Sequence, residues 1–282
     1  MKLFTGLLAL LAFVLSGCSP LGFVNSFVTQ DLLVRRDLAY GDLPRQKLDL
    51  YTSATAPARG VVVFIHGGYW DSGDKSEYPF VADSLTEAGF MTIIVNYRLV
   101  PDITFPSYAE DVALAVKWVF DNVANYGGDP NEVFLMGHSA GAHIAALVAY
   151  DERYLDALGA TTKLAGFVGL AGPYDFLPLA PDDVRSKAAL GPEDAWAQTQ
   201  PINFVDGGEP SAFIATGLKD TTVKPGNSLR FAERVETSEG EVELKTYKKL
   251  DHVSIAGALG RGTRFLEPQV LKDVLGFLDR HS

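Results

Sequence analysis

Gly137-His138-Ser139-Ala140-Gly141 follows the apolar run Val133-Phe134-Leu135-Met136 and leads into an alanine-rich stretch. A serine on a sharp strand-to-helix turn is forced into a strained backbone conformation that holds its hydroxyl clear of a sheet. Glycines two residues to either side remove side chains that would collide there. Ser139 is therefore the candidate nucleophile. A GxSxG string arises by chance in roughly one chain in seven of this composition, so the context must carry the argument. Val61 to Ile65 is an unbroken apolar run that ends in His66-Gly67-Gly68-Tyr69-Trp70, two glycines at which backbone N–H groups could face a developing oxyanion. Another apolar segment, Ala212 to Thr216, is followed by Asp220, and a last one, Val242 to Tyr247, by Asp251 and His252. A serine, an acid and a histidine, each placed after a strand, are the parts of nucleophilic acyl transfer, with Asp220 orienting His252 as the base for Ser139.

The rivals for each role are few. His138 lies inside the turn, His66 starts the glycine loop, His143 reads as core filler on a helix, and His281 is terminal. Only His252 follows the last strand. Asp175 and Asp206 compete with Asp220, because the acid can migrate between strand ends, but Asp220 sits in the loop after the expected strand. Asp251 is expected to face away. No HExxH, cysteine pair or dense carboxylate loop points to a metal, and no cofactor is expected.

Positioning these residues requires strands at about Lys47 to Tyr51, Val61 to Ile65, Met91 to Asn96, Glu132 to Met136, Leu164 to Leu170, Ala212 to Thr216 and Val242 to Tyr247. The central ones are continuously apolar, as in a sheet covered on both faces. Val112, Val116, Val119 and Val123 recur at helical spacing, with Asp111, Lys117 and Asp121 left for solvent. Leu271, Val274, Leu275 and Leu278 do the same near the C-terminus. Alternating strand and helix implies an α/β fold, a mostly parallel doubly wound sheet with helices on both faces. Residues 172–210 form one long proline-studded interruption, expected to be a cap insertion or a peripheral decoration.

HGGYW, GHSAG, Asn96-Tyr97-Arg98-Leu99 after a strand, and the Gly127-Gly128-Asp129-Pro130 turn together make the chain, from about Gln46 onward, resemble the α/β-hydrolase esterases. It is most similar to the lipase/carboxylesterase branch with an HGG motif, including kynurenine formamidase-like members that carry HGGxW. After HGG stands Tyr69, where the hormone-sensitive-lipase-like branch carries a third glycine. The resemblance implies an eight-stranded sheet with a small cap lined by Phe176, Leu177 and Trp196. It also implies an oxyanion hole from the N–H groups of Gly67, Gly68 and Ala140. Tyr69 and Trp70 would shape a substrate pocket or pack the loop. The activity it implies is serine carboxylesterase chemistry on small to medium acyl esters. The alternatives are an arylformamidase acting on N-formylkynurenine-type amides and a membrane-tethered binding protein without turnover.

The first residues read as a processing signal. Lys2 precedes an apolar run from Leu3 to Leu15, too short to span a bilayer, and Leu15-Ser16-Gly17-Cys18 resembles a bacterial lipobox. Residues 1–17 are expected to be a lipoprotein signal peptide, Cys18 the acylated residue, 18–40 a loosely packed tether, and 41–282 the catalytic domain. Ser19 after the cysteine resembles an outer-membrane sorting signal, so the expected location is the bacterial outer membrane, facing the periplasm. Cys18 is the only cysteine, which excludes an internal disulfide. The remaining length suits one domain with a sizeable core. A formal charge of −11 without a long basic stretch argues against nucleic acid, and Lys245, Lys248 and Lys249 read as a solvated face. The expected partners are a small ester and, through the anchor, a membrane; the oligomeric state is not legible.

Overall fold

Apolar residues crowd five strands so completely that both of their faces must be covered. In the computed structural model, which describes residues 20–29 and 32–282, these strands form the middle of one sheet. The signal segment 1–17 and Cys18 lie outside the described residues. In chain order the strands are β1 (Leu32–Ala39), β2 (Lys47–Ser53), β3 (Val61–Ile65), β4 (Met91–Val95), β5 (Val133–His138), β6 (Gly166–Leu170), β7 (Ala212–Gly217) and β8 (Val242–Tyr247). Their spatial order is β1-β2-β4-β3-β5-β6-β7-β8. β2 runs antiparallel to both β1 and β4, and every other pairing is parallel. This is the mostly parallel eight-stranded α/β sheet that the alternation implies.

The helices are α1 (Pro20–Asn25), α2 (Pro79–Glu87), α3 (Ser107–Asn122), α4 (Ala140–Tyr150), α5 (Arg153–Asp156), α6 (Val184–Leu190), α7 (Gly226–Thr237), α8 (His252–Gly257) and α9 (Gln269–His281). Alternate strand residues feed two cores, because successive side chains point to opposite faces. Val61, Val63 and Ile65 pack with α3, α4 and α7, while Val62 and Phe64 pack with α2 and α9. Val112, Val116 and Val119 of α3 and Leu271, Val274 and Leu278 of α9 are buried as their spacing predicts, as is Val123 just after α3, while Leu275 is half-buried.

Two expectations need correction. Residues 18–40 are not a loose tether throughout: Val24 of α1 is buried, and 32–39 form an edge strand of the sheet. The domain therefore includes α1 and β1 and does not begin at 41. Asp111 is not solvent-facing on α3. It is buried, accepts a hydrogen bond from Gln46 at 2.8 Å, and holds the Arg98 guanidinium through Nε and Nη2 at 2.8 Å each. A buried carboxylate is tolerated there because its charge is paired and hydrogen-bonded. Lys117 and Asp121 do form an ion pair one helical turn apart.

Candidate active site

The residues that matter lie at the carboxyl ends of β3, β5, β7 and β8, where parallel strands deliver their loops to one edge of the sheet. β5 ends at His138, and Ser139 adopts φ 57° and ψ −126° before α4 begins at Ala140. That left-handed conformation is costly for a residue with a Cβ and persists only where its surroundings impose it. The flanking glycines are what allow it. A Cβ on Gly137 would lie 2.4 Å from the Gly141 carbonyl oxygen, and one on Gly141 would lie 2.1 Å from that of Ile65.

Ser139, Asp220 and His252 meet in one hydrogen-bonded line. Asp220 Oδ2 is 2.8 Å from His252 Nδ1, and His252 Nε2 is 2.7 Å from Ser139 Oγ. A carboxylate can only accept, so Nδ1 carries the proton and Nε2 is left to accept from the serine hydroxyl. The other oxygen of Asp220 accepts the backbone N–H groups of Thr222 and Val223, each at 2.9 Å, which fixes the carboxylate's orientation. Asp220 is 4 % exposed and Ser139 7 %.

The competing acids are occupied elsewhere. Asp175 is paired with Arg230, Asp206 accepts from the N–H of Gly208 within its own turn, and Asp251 caps α8. Asp251 and Ser254 bond reciprocally to each other's backbone, a capping box that sets where the helix bearing His252 begins.

The glycine loop is held from several sides. Gly68, Tyr69 and Trp70 take φ 125°, 51° and 62° in succession, and the N–H groups of Asp71 and Ser72 close back on the Gly68 carbonyl. A Cβ on Gly67 would sit 3.0 Å from Ser139 Cβ, which measures how closely this loop approaches the serine. Asn96-Tyr97-Arg98 anchors it. The Tyr97 hydroxyl donates to the His66 carbonyl at 3.0 Å, and Asn96 accepts from the N–H of Lys75 and donates to Asp74. The His66 ring stacks on Tyr97 at 4.6 Å.

Residues 172–210, with α6 and two short 3-10 turns, lie over the serine. A cleft of about 300 Å³ is lined by Ser139, Ala140, Tyr69, Trp70, Phe176 and Asn227 among others, with Pro178, Leu179, Asp183 and Ser186 from the overlying segment. Phe176 lines it as expected. Leu177 and Trp196 are not among its lining residues, and the indole of Trp196 donates instead to the Gly191 carbonyl. A larger cavity, about 540 Å³ between Arg98, Phe105, Leu114, Arg153 and Leu158, contains none of the three aligned groups.

Tyr69 and Trp70 part company. Trp70 is 3 % exposed: its Nε1–H donates to His143 Nδ1 at 3.1 Å, and His143 donates from Nε2 to the Thr199 carbonyl at 2.7 Å. His143 is therefore more than core filler, since it ties the glycine loop to the overlying segment. Tyr69 is half exposed, with the Arg185 guanidinium 4.1 Å from its ring centroid, and Arg185 also pairs with Asp71. His138 donates from Nε2 to the carbonyl of His252 at 2.8 Å, with the two rings 5.0 Å apart. Burial lowers the pKa of each of His66, His138 and His143 to about 4, so all three stay neutral beside the aligned groups. The sequence carried no signal for these ties, which span long stretches of chain.

The sequence signature of the BD-FAE family matches residues 48–235. A probable isoprenylcysteine alpha-carbonyl methylesterase from Arabidopsis thaliana, ICMEL2, is 27% identical over 276 residues, covering 89% of this chain and 64% of its own. Esterase LipC of Mycobacterium tuberculosis is 28% identical over 220 residues, covering 71% of this chain and 55% of its own. The chain thus spans less than two thirds of the length of these relatives. Among solved structures, an inhibited esterase B from Lactobacillus rhamnosis superposes with a TM-score of 0.80 at 20% identity, covering 100% of this chain and 97% of that one. A truncated carbohydrate esterase from gut microbiota gives 0.78 at 22%, covering 90% and 98%. These likenesses establish the α/β-hydrolase fold.

Proposed function

Because this chain belongs to the BD-FAE family, we propose that it is a serine hydrolase of carboxylic esters, with Ser139 as nucleophile, His252 as base and Asp220 as the orienting acid. The observation that carries the reading is the unbroken line from Asp220 Oδ2 through His252 to Ser139 Oγ, with both contacts under 3 Å. Ser139 Oγ attacks the acyl carbon while its proton passes to His252 Nε2. The C–O bond to the alcohol then breaks, the alcohol leaves with that proton, and an acyl-enzyme remains. Water, deprotonated by His252 Nε2, attacks the acyl carbon; the bond to Ser139 Oγ then breaks, Oγ takes the proton back from Nε2, and the acid leaves. The N–H groups of Gly67, Gly68 and Ala140 hold the oxyanion. Ala140 opens α4, so its N–H has no intrahelical acceptor, and the close approach of Gly67 to Ser139 supports the other side of the hole.

A cleft of about 300 Å³ suits small to medium acyl groups. The HGGxW string supports a second reading, an arylformamidase, in which a formyl group takes the same place. The lipobox-like segment supports acylation of Cys18 and anchoring to the bacterial outer membrane, facing the periplasm. Fluorophosphonate labelling of the full chain, with the adduct located by peptide mass spectrometry, tests the first claim. An adduct on Ser139 that disappears in Ser139→Ala is expected, and a folded protein with no adduct would overturn it. Aryl acetate, butyrate and longer esters beside an arylformamide then separate the two enzyme readings.

A further inference from the structure

We propose that Phe23, Phe27, Phe265 and Leu266 form a face that rests on a lipid bilayer and seats the body of the protein directly on the membrane. The inference rests on the reading that the N-terminal segment is membrane-bound. These side chains are 44%, 42%, 73% and 47% exposed. Single exposed apolar side chains are ordinary, but several large ones gathered together mark an interaction surface. Two of them touch, and the other two follow within four residues of a glycine that one of the first two abuts. The Phe23 and Phe27 rings meet edge to face at 5.3 Å, and Phe27 lies so close to Gly262 that a Cβ there would be 2.1 Å from its Cδ2. Gly262 leads directly into the 3-10 turn Arg264–Leu266, which displays the other two side chains.

The position of this face relative to the chain entry identifies its occupant. Helix α1 is fixed to the domain, not loosely tethered: Val24 is buried, Asn25 Nδ2 donates to the Glu77 carbonyl at 2.8 Å, and the N–H of Phe80 donates to Asn25 Oδ1 at 3.1 Å. Cys18 precedes the start of α1 by only two residues. Two extended residues reach about 7 Å, so acyl chains on Cys18 leave the domain almost no slack from the headgroups. The charges of Arg261 and Arg264 on this loop are paired with Asp83 and Glu87. One acyl chain holds a protein only marginally, and an apolar face beside it supplies an added hold. The segment that begins at His252 runs through α8 into this turn, so the same contact would fix the orientation of the candidate active site relative to the membrane.

The test uses the full chain produced in a bacterial host, carrying either Phe265→Cys or Lys163→Cys with an environment-sensitive dye. Lys163 is exposed and precedes β6, at the opposite edge of the sheet from His252. Each protein is reconstituted into phosphatidylcholine vesicles with brominated acyl chains. The expected result is loss of dye emission at 265 and none at 163, with Leu266→Cys repeating the loss. Flotation with the vesicles and a count of free thiols by mass spectrometry report the anchor separately. A protein that floats while the dye at 265 keeps its emission overturns the membrane seat and leaves the anchor reading standing. A protein that does not float and carries a second, free thiol at Cys18 overturns both. A dye at 265 already shielded without vesicles would assign the face to a second copy or to residues 1–17, and would equally overturn the proposal.

Discussion

Lowering the pH from 7 to 5 should destabilise this protein through three histidines that the fold keeps neutral. His66, His138 and His143 are buried, and burial holds each near pKa 4 against an ordinary value of 6.5. Their hydrogen bonds fix neutral tautomers. His143 accepts from Trp70 and donates to Thr199, His138 donates to His252, and His66 donates from Nδ1 to the Gly67 carbonyl. Between pH 6.5 and 4 the unfolded chain therefore binds protons that the folded chain refuses. The stability these groups contribute is present above 6.5 and declines as the pH falls toward 4. From pH 7 to 5 the loss is about 2 kcal/mol per histidine, or about 6 kcal/mol for the three. That is comparable to the whole stability of a typical domain, about 5–15 kcal/mol. Asp37, Asp71, Asp74 and Asp251 have pKa values lowered from 3.8, so what they contribute is lost only below that range.

Urea unfolding at several pH values, followed by circular dichroism, measures this dependence. The free energy should fall by about 4 kcal/mol per pH unit near pH 5, the signature of roughly three protons. His143→Gln can still accept from Trp70 and donate toward Thr199, and should reduce the slope by about one proton. A slope below one proton, or one unchanged in His143→Gln, would refute the reasoning.

Three further pairs of substitutions probe the site itself. Asp220→Asn should lower kcat on an aryl ester by about 10³- to 10⁴-fold, because an amide that donates to Nδ1 favours the wrong tautomer, whereas Asp175→Asn, whose partner Arg230 is half exposed, should stay within about threefold. The reverse ranking would move the acid. His138→Phe loses the donor to the His252 carbonyl and should cost about ten- to a hundredfold in kcat at nearly constant KM, with His138→Gln recovering part of it. Equal losses in both variants would assign His138 to packing alone. Gly141→Ala drives a Cβ into the backbone of Ile65 and should lower stability by about 1–3 kcal/mol and suppress fluorophosphonate labelling. Gly257→Ala, facing open space, should do neither, as thermal unfolding and labelling rates would show.

The sheet and the three aligned groups were legible in the sequence because each depends on local chain. An apolar run of five residues buried on both faces has few other fates, and Ser139, Asp220 and His252 are each announced by the strand before them. β1 was missed for the opposite reason. It is an edge strand with mixed exposure, and its Arg35-Arg36-Asp37 has no apolar period. Asp37 adopts φ 57° where the pairing with β2 slips, and both it and Asp49 of β2 meet Lys75. Asp111 was misread because helical period reports a face and not an ion pair, and Arg98 lies on a different element.

The ties around the glycine loop were beyond local reading for the same reason. Trp70, His143 and Thr199 come from a loop, a helix and the overlying segment, and nothing in their spacing links them. Their arrangement explains a cost that the sequence left open. Gly68, Tyr69 and Trp70 hold three successive positive φ angles, two of them on residues with side chains, and such strain persists only when the surroundings fix it. Tyr97 holds the start of the loop, His143 its buried tryptophan and Arg185 its exposed tyrosine and Asp71. Two of those three restraints connect it to residues 172–210. The overlying segment therefore does more than line the cleft: by holding this loop against Ser139, it helps set the geometry on which the proposed oxyanion hole depends.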